Sequence, residues 1–106
     1  MDKLFDKILE ISREKEGKTL VEMTLKCTEE LGELSEAVLS YTNTHGCGYK
    51  NLGREHVLEE LTDVIIVIVA LAAKAGISKD EIKGEMEKKL LKWVDKITKN
   101  DGNNSI

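Results

Sequence analysis

The sequence predicts an all-α protein with a four-helix-bundle core, and three observations carry that prediction. Apolar residues recur at three- and four-residue steps; no useful window alternates apolar with polar residues; and the chain contains no proline to break a helix. Its 106 residues allow one domain. Residues 1–99 are read as that domain, and the Asn-rich end, 100–106, as a flexible tail.

The first helix spans Asp2–Lys15, with Leu4, Phe5, Ile8, Leu9 and Ile11 as its apolar stripe. Gly17 and Lys18 interrupt the pattern, and Thr19 is placed to cap a second helix over Leu20–Tyr41. The apolar face of that helix reads Leu20, Met23, Cys27, Leu31, Leu34, Val38 and Tyr41. Thr42–Gly53 is a loop whose glycines and asparagines suit positive φ. A third helix runs from Arg54 to Lys74, with Gly76 as its left-handed terminator. Ser78 and Glu81 have capping-box spacing and open a fourth helix, whose inward residues are expected to be Ile82, Met86, Leu90, Trp93, Val94 and Ile97.

The third helix is apolar on every side from Val64 to Ala73. A lone four-helix chain this short would expose part of that surface, and large exposed apolar patches are rare. A homodimer is therefore expected, with a dimer of dimers open; the competing arrangement is a monomer whose first helix crosses the outer face.

Charge and composition exclude several classes. With 16 basic and 20 acidic residues the formal charge is −4, so binding to nucleic acid or an anionic membrane is not expected. The apolar run Val64–Ala73 is about half the length of a membrane span. The charged start Met1–Lys7 lacks the apolar core of a secretory signal. A soluble, cytoplasmic protein is expected, with Cys27 and Cys47 reduced. His45 and Cys47 offer two zinc ligands at most, with no second pair at ligand spacing.

The chemistry lies in the carboxylates. The second helix carries Glu29-Glu30-Leu-Gly-Glu33-Leu-Ser-Glu36, and the third opens with Glu59-Glu60-Leu-Thr-Asp63. At about 100° per residue, with Glu29 at zero, the apolar face centres near 150°, Glu30 lies near 100° and Glu33 near 40°. Glu29 and Glu36 then point to water, and Glu30 and Glu33 lean inward. Glu60 and Asp63 share one turn and one side and enter the apolar helix at its N-terminal end, where acids suit the helix dipole; Glu59 and Glu60 also read as ordinary N-terminal acids. Asp63 does not, because one turn into an apolar helix a carboxylate needs a partner. If the two helices pack antiparallel, Glu30, Glu33, Glu60 and Asp63 converge, and their mutual repulsion calls for protons or cations. An all-oxygen donor set without histidine or thiolate points to Mg²⁺, with Mn²⁺ as substitute. The Glu-x-x-His pairing of di-iron bundles is missing from both helices.

Glu29-Glu30-x-x-Glu33, a 26-residue gap, and Glu60-x-x-Asp63 resemble the signature of the MazG-like all-α nucleoside triphosphate pyrophosphohydrolases. The similarity covers about residues 20–95, including Glu-Glu-Leu-Gly-Glu-Leu-Ser-Glu-Ala and Glu-Glu-Leu-Thr-Asp-Val-Ile-Ile-Val. The resemblance implies Mg²⁺ held by Glu30, Glu33, Glu60 and Asp63, and a nucleoside triphosphate cleaved to monophosphate and pyrophosphate. It also implies a partner subunit closing each substrate pocket. In many relatives the last helix carries Lys-Asn before an aromatic; here Lys89 stands where that asparagine would be.

A triphosphate also needs positive charge or amide donors beyond the metal. Residues 1–63 hold 14 acids and 8 bases, residues 64–106 hold 6 and 8, so the fourth helix supplies local positive charge. Lys89 and Lys92 near Trp93, Lys26 four residues before Glu30, and Tyr49, Lys50 and Arg54 at the loop are the candidate substrate contacts. Several of these lysines read equally as a solvated face, and Trp93 as core. Glu29 and Glu30 are the candidate catalytic carboxylates, Glu29 orienting water and Glu30 holding metal. The alternatives are a non-catalytic helical module that binds a protein or senses nucleotides, and a four-carboxylate metal buffer.

Overall fold

The computed structural model describes residues 2–43 and 53–104, with the backbone alone for 101–104. Among these residues are four helices and no strand: α1 (Asp2–Lys15), α2 (Leu20–Tyr41), α3 (Arg54–Lys74) and α4 (Lys79–Asn104). The first three match the sequence-based bounds, and α4 continues to Asn104, into the stretch read as a tail.

Local chemistry explains the ends. Thr19 caps α2 in a reciprocal box: the Glu22 N–H donates to Thr19 Oγ1 at 3.1 Å, and the Thr19 N–H donates to Glu22 Oε1 at 2.9 Å. At the far end of α2, Asn43 takes φ 54°, a left-handed conformation that asparagine tolerates. Gly76 follows α3 with φ 75°, as a helix terminator requires. Ser78 opens α4, its Oγ accepting from the Glu81 N–H at 3.1 Å.

The chain divides into two compact units, Met1–Gly76 and Ile77–Ile106. In the first, α3 packs against both α1 and α2. Leu9, Val69 and Ala73 form a small core, with Phe5 and Ile8 packed against it. Buried Ser12 donates to the Ala70 carbonyl at 2.9 Å, and Lys74 Nζ donates to the Glu16 carbonyl at 3.2 Å. Both contacts span 58 residues, so α1 and α3 run in the same direction along this stretch.

Three expectations about packing need correction. On α1, Leu4 and Ile11 are exposed, because the buried face is Leu9 and Ser12 with Phe5 and Ile8 beside it. On α2 the buried face runs through Met23, Glu30, Ala37 and Ser40, with Cys27 and Leu34 partly buried, whereas Leu20, Leu31, Val38 and Tyr41 are exposed. The buried face is displaced toward Glu30 and includes the small residues Ala37 and Ser40. The third correction concerns α4, where Met86, Leu90, Trp93, Val94 and Ile97 are exposed, Trp93 by 62%. Within its unit a single helix has no second layer to bury them.

Helices α1 and α2 together cover only part of α3: Val64, Val69, Ala72 and Ala73 are buried, but Ile65, Ile66 and Ile68 remain 46%, 42% and 53% exposed. No single helix among the described residues is long and apolar enough to cross a membrane.

Candidate metal centre

The buried face of α2 includes Glu30, with 10% of the side chain exposed. From α3, Glu60 reaches the same region with 13% exposed. One carboxylate oxygen from each of Glu30, Glu60 and Asp63 lies within 4.8 Å of the others, and the same holds for Glu29, Glu30 and Glu33. Glu30 belongs to both groups.

Two basic side chains border the acids. Lys26 Nζ lies 3.1 Å from Glu30 Oε1 and 3.4 Å from Glu29 Oε1. Its hydrogen bond to Glu30, then the charge of Glu29, raise the pKa of the ammonium above its ordinary value. His56 stands similarly on α3, with Nε2 3.5 Å from Glu60 Oε1 and Nδ1 3.5 Å from Glu59 Oε2. The second oxygens differ: Oε2 of Glu30 and Oε2 of Glu60 are both buried without a hydrogen-bond partner. At Glu33, the negative charge of Glu30 foremost, then desolvation and the hydrogen-bonding carboxylate of Glu60, push the carboxyl pKa up.

Such a site attracts positive charge. A buried carboxylate oxygen without a donor is costly, and like charges at this spacing raise the cost. A hard divalent cation, which prefers carboxylate oxygen, relieves both. The donor set, carboxylate oxygen throughout, therefore fits a hard divalent cation.

The acids singled out in the sequence lie together in two overlapping groups, and their burial differs from one to the next. Asp63 and Glu33 are exposed, whereas Glu60 is largely buried, as its place at the entry of the apolar helix implied. Asp63 escapes burial because it sits beside, not on, the face of α3 that turns inward through Glu60 and Val64. Lys26 lies beside Glu30, as its four-residue spacing implied. His56 was missed, although the same spacing from Glu60 was available as a signal. Arg54 opens α3 and is exposed. Lys89, Lys92 and Trp93 are exposed on α4, in the second unit, so Trp93 is not a core residue there. Tyr49 and Lys50, like His45 and Cys47, lie outside the described residues. Cys27 is a free thiol whose pKa burial pushes up.

A model of the MazG-like family matches residues 24–105, a span that includes every acid of the cluster and reaches into both units. No curated protein and no solved structure matches the chain.

Proposed function

This chain belongs to the MazG-like family, and on that premise we propose that it is a Mg²⁺-dependent nucleoside triphosphate pyrophosphohydrolase. It would hydrolyse a ribo- or deoxynucleoside triphosphate to the monophosphate and pyrophosphate, with Mn²⁺ able to replace Mg²⁺. One observation carries the reading: Oε2 of Glu30 and Oε2 of Glu60 are buried and unpartnered within a cluster of like charges. Solvated surface acids have no reason to leave lone pairs in that state.

In this reading Glu30, Glu33, Glu60 and Asp63 hold the cation. When bound, the metal neutralises polyphosphate charge and acidifies a coordinated water. The chain does the rest. Glu29 is exposed beside Glu30, with Oε1 held by Lys26 Nζ at 3.4 Å, and it orients the attacking water and accepts its proton. Lys26 carries positive charge at the edge of the acids and is placed for a phosphate oxygen. One P–O bond forms to the water oxygen, the bridging bond between the α- and β-phosphates breaks, and pyrophosphate leaves.

Tyr49, Lys50, Arg54, Lys89, Lys92 and Trp93 are the proposed remaining substrate contacts, and residues 1–99 the working domain. We place the protein in the cytoplasm as a homodimer or dimer of dimers, without nucleic-acid or membrane partners. The exposed Ile65, Ile66 and Ile68 on α3 and the exposed apolar residues of α4 favour a second copy that buries them and completes the pocket.

A nucleotide panel tests the activity. Purified protein with Mg²⁺ releases pyrophosphate from at least one triphosphate, and Glu30→Gln loses nearly all of that release. Orthophosphate alone, or no turnover across the panel, contradicts the proposal.

A further inference from the structure

The two buried acids are held in the same way. On α2, Lys26 stands four residues before Glu30 and contacts its Oε1 at 3.1 Å, while also reaching Glu29 at 3.4 Å. On α3, His56 stands four residues before Glu60 and lies 3.5 Å from its Oε1, while also reaching Glu59 at 3.5 Å. In both, the nitrogen-bearing side chain bridges two adjacent glutamates and touches one oxygen of the inner one. Each inner glutamate keeps its other oxygen, Oε2, buried without a partner. The Glu30 side chain is nine-tenths buried.

A glutamate has three rotatable side-chain bonds, and nothing intrinsic keeps a partnerless carboxylate oxygen out of water. A contact on Oε1 from the preceding turn selects the rotamer in which Oε2 stays inside. Leucine cannot do this, and an imidazole N–H can, whether the ring is charged or neutral with its hydrogen on Nε2. We propose that His56 is a positioning residue for Glu60, holding Oε1 so that Oε2 is presented to the cation. The inference rests on the cation-site reading above and adds a residue that donates no ligand atom. When both ring nitrogens carry hydrogen, Glu59 steadies the far side of the ring through Nδ1.

The test is Mn²⁺ binding to the full chain, followed by the loss of the free-ion electron paramagnetic resonance signal. His56→Leu is expected to bind Mn²⁺ about 10- to 100-fold more weakly than the wild type, the usual loss when an outer-shell partner of a metal ligand is removed. His56→Gln, which keeps a donor at similar reach, recovers most of that loss. His56→Asn, whose amide is too short to reach Glu60, does not. The Asn–Gln comparison stands by itself if the leucine variant fails to fold. A merely structural role would lower the melting temperature in EDTA and leave the Mn²⁺ constant unchanged. That outcome, or equal binding by the Asn and Gln variants, overturns the proposal. A wild type that binds Mn²⁺ but releases no pyrophosphate overturns the catalytic reading alone, and the same titrations still decide the role of His56. A wild type that binds no Mn²⁺ overturns both.

Discussion

Neutralising Glu60 should stabilise the metal-free protein while removing its response to metal. At an effective dielectric of about 20, two unit charges at the 4.8 Å limit of the Glu30–Glu60 oxygens repel by about 3.5 kcal/mol. Lys26 beside Glu30 and partial exposure of the cluster offset roughly half of this. In Glu60→Gln the repulsion disappears, and the new amide can donate to the unpartnered Glu30 Oε2. A net gain of about 2 kcal/mol follows, taking about 1 kcal/mol for a hydrogen bond gained against the contact with His56 lost. For a chain of this size that raises the melting temperature by roughly 8 °C. The wild type, by contrast, gains about 2.7 kcal/mol in Mg²⁺ at 100 times its dissociation constant, and the variant gains little. The assay is a pair of thermal melts, in EDTA and in Mg²⁺, at one protomer concentration. A variant that melts below the wild type in EDTA, or keeps the full Mg²⁺ shift, refutes the reasoning.

Three further outcomes are expected. The folded Glu33 carboxyl titrates above its ordinary 4.5, so the stability it contributes is fully present below that value and is lost as pH rises through the folded pKa. Glu33→Gln should therefore flatten this loss in urea melts of metal-free protein between pH 4 and 7, and an unchanged slope counts against the charge cluster. Ile68→Glu should abolish soluble expression, since a second copy is expected to cover that side chain; a soluble, folded monomer by light scattering contradicts the assembly. Thr19→Ala should cost about 1 kcal/mol in chemical denaturation through loss of the α2 cap, with metal affinity unchanged.

Much of this arrangement was legible from spacing alone. Three- and four-residue apolar steps, Thr19, Gly76 and Ser78 located the helices because caps and terminators are local chemistry. The acids were legible as two pairs at i and i+3, a property of a single helix. Burial depends on tertiary contact, and there sequence reasoning was weaker. Ala37 and Ser40 attract no notice beside Leu31 and Val38, yet they lie on the buried face of α2 that carries Glu30. Asp63 looked buried because an apolar run follows it, but it sits beside the inward face, which runs through Glu60 and Val64. The apolar stripe on α4 is a clear helical signal that does not say which surface covers it.

The central claim is most directly tested by ³¹P nuclear magnetic resonance of a nucleoside triphosphate incubated with the purified protein. With Mg²⁺ present, the account predicts new resonances for the nucleoside monophosphate and pyrophosphate in equal amounts, none in EDTA, and nearly none from Asp63→Asn, which should remain folded. Appearance of the diphosphate with orthophosphate, an unchanged triphosphate spectrum across the nucleotide panel, or full activity in Asp63→Asn would contradict it.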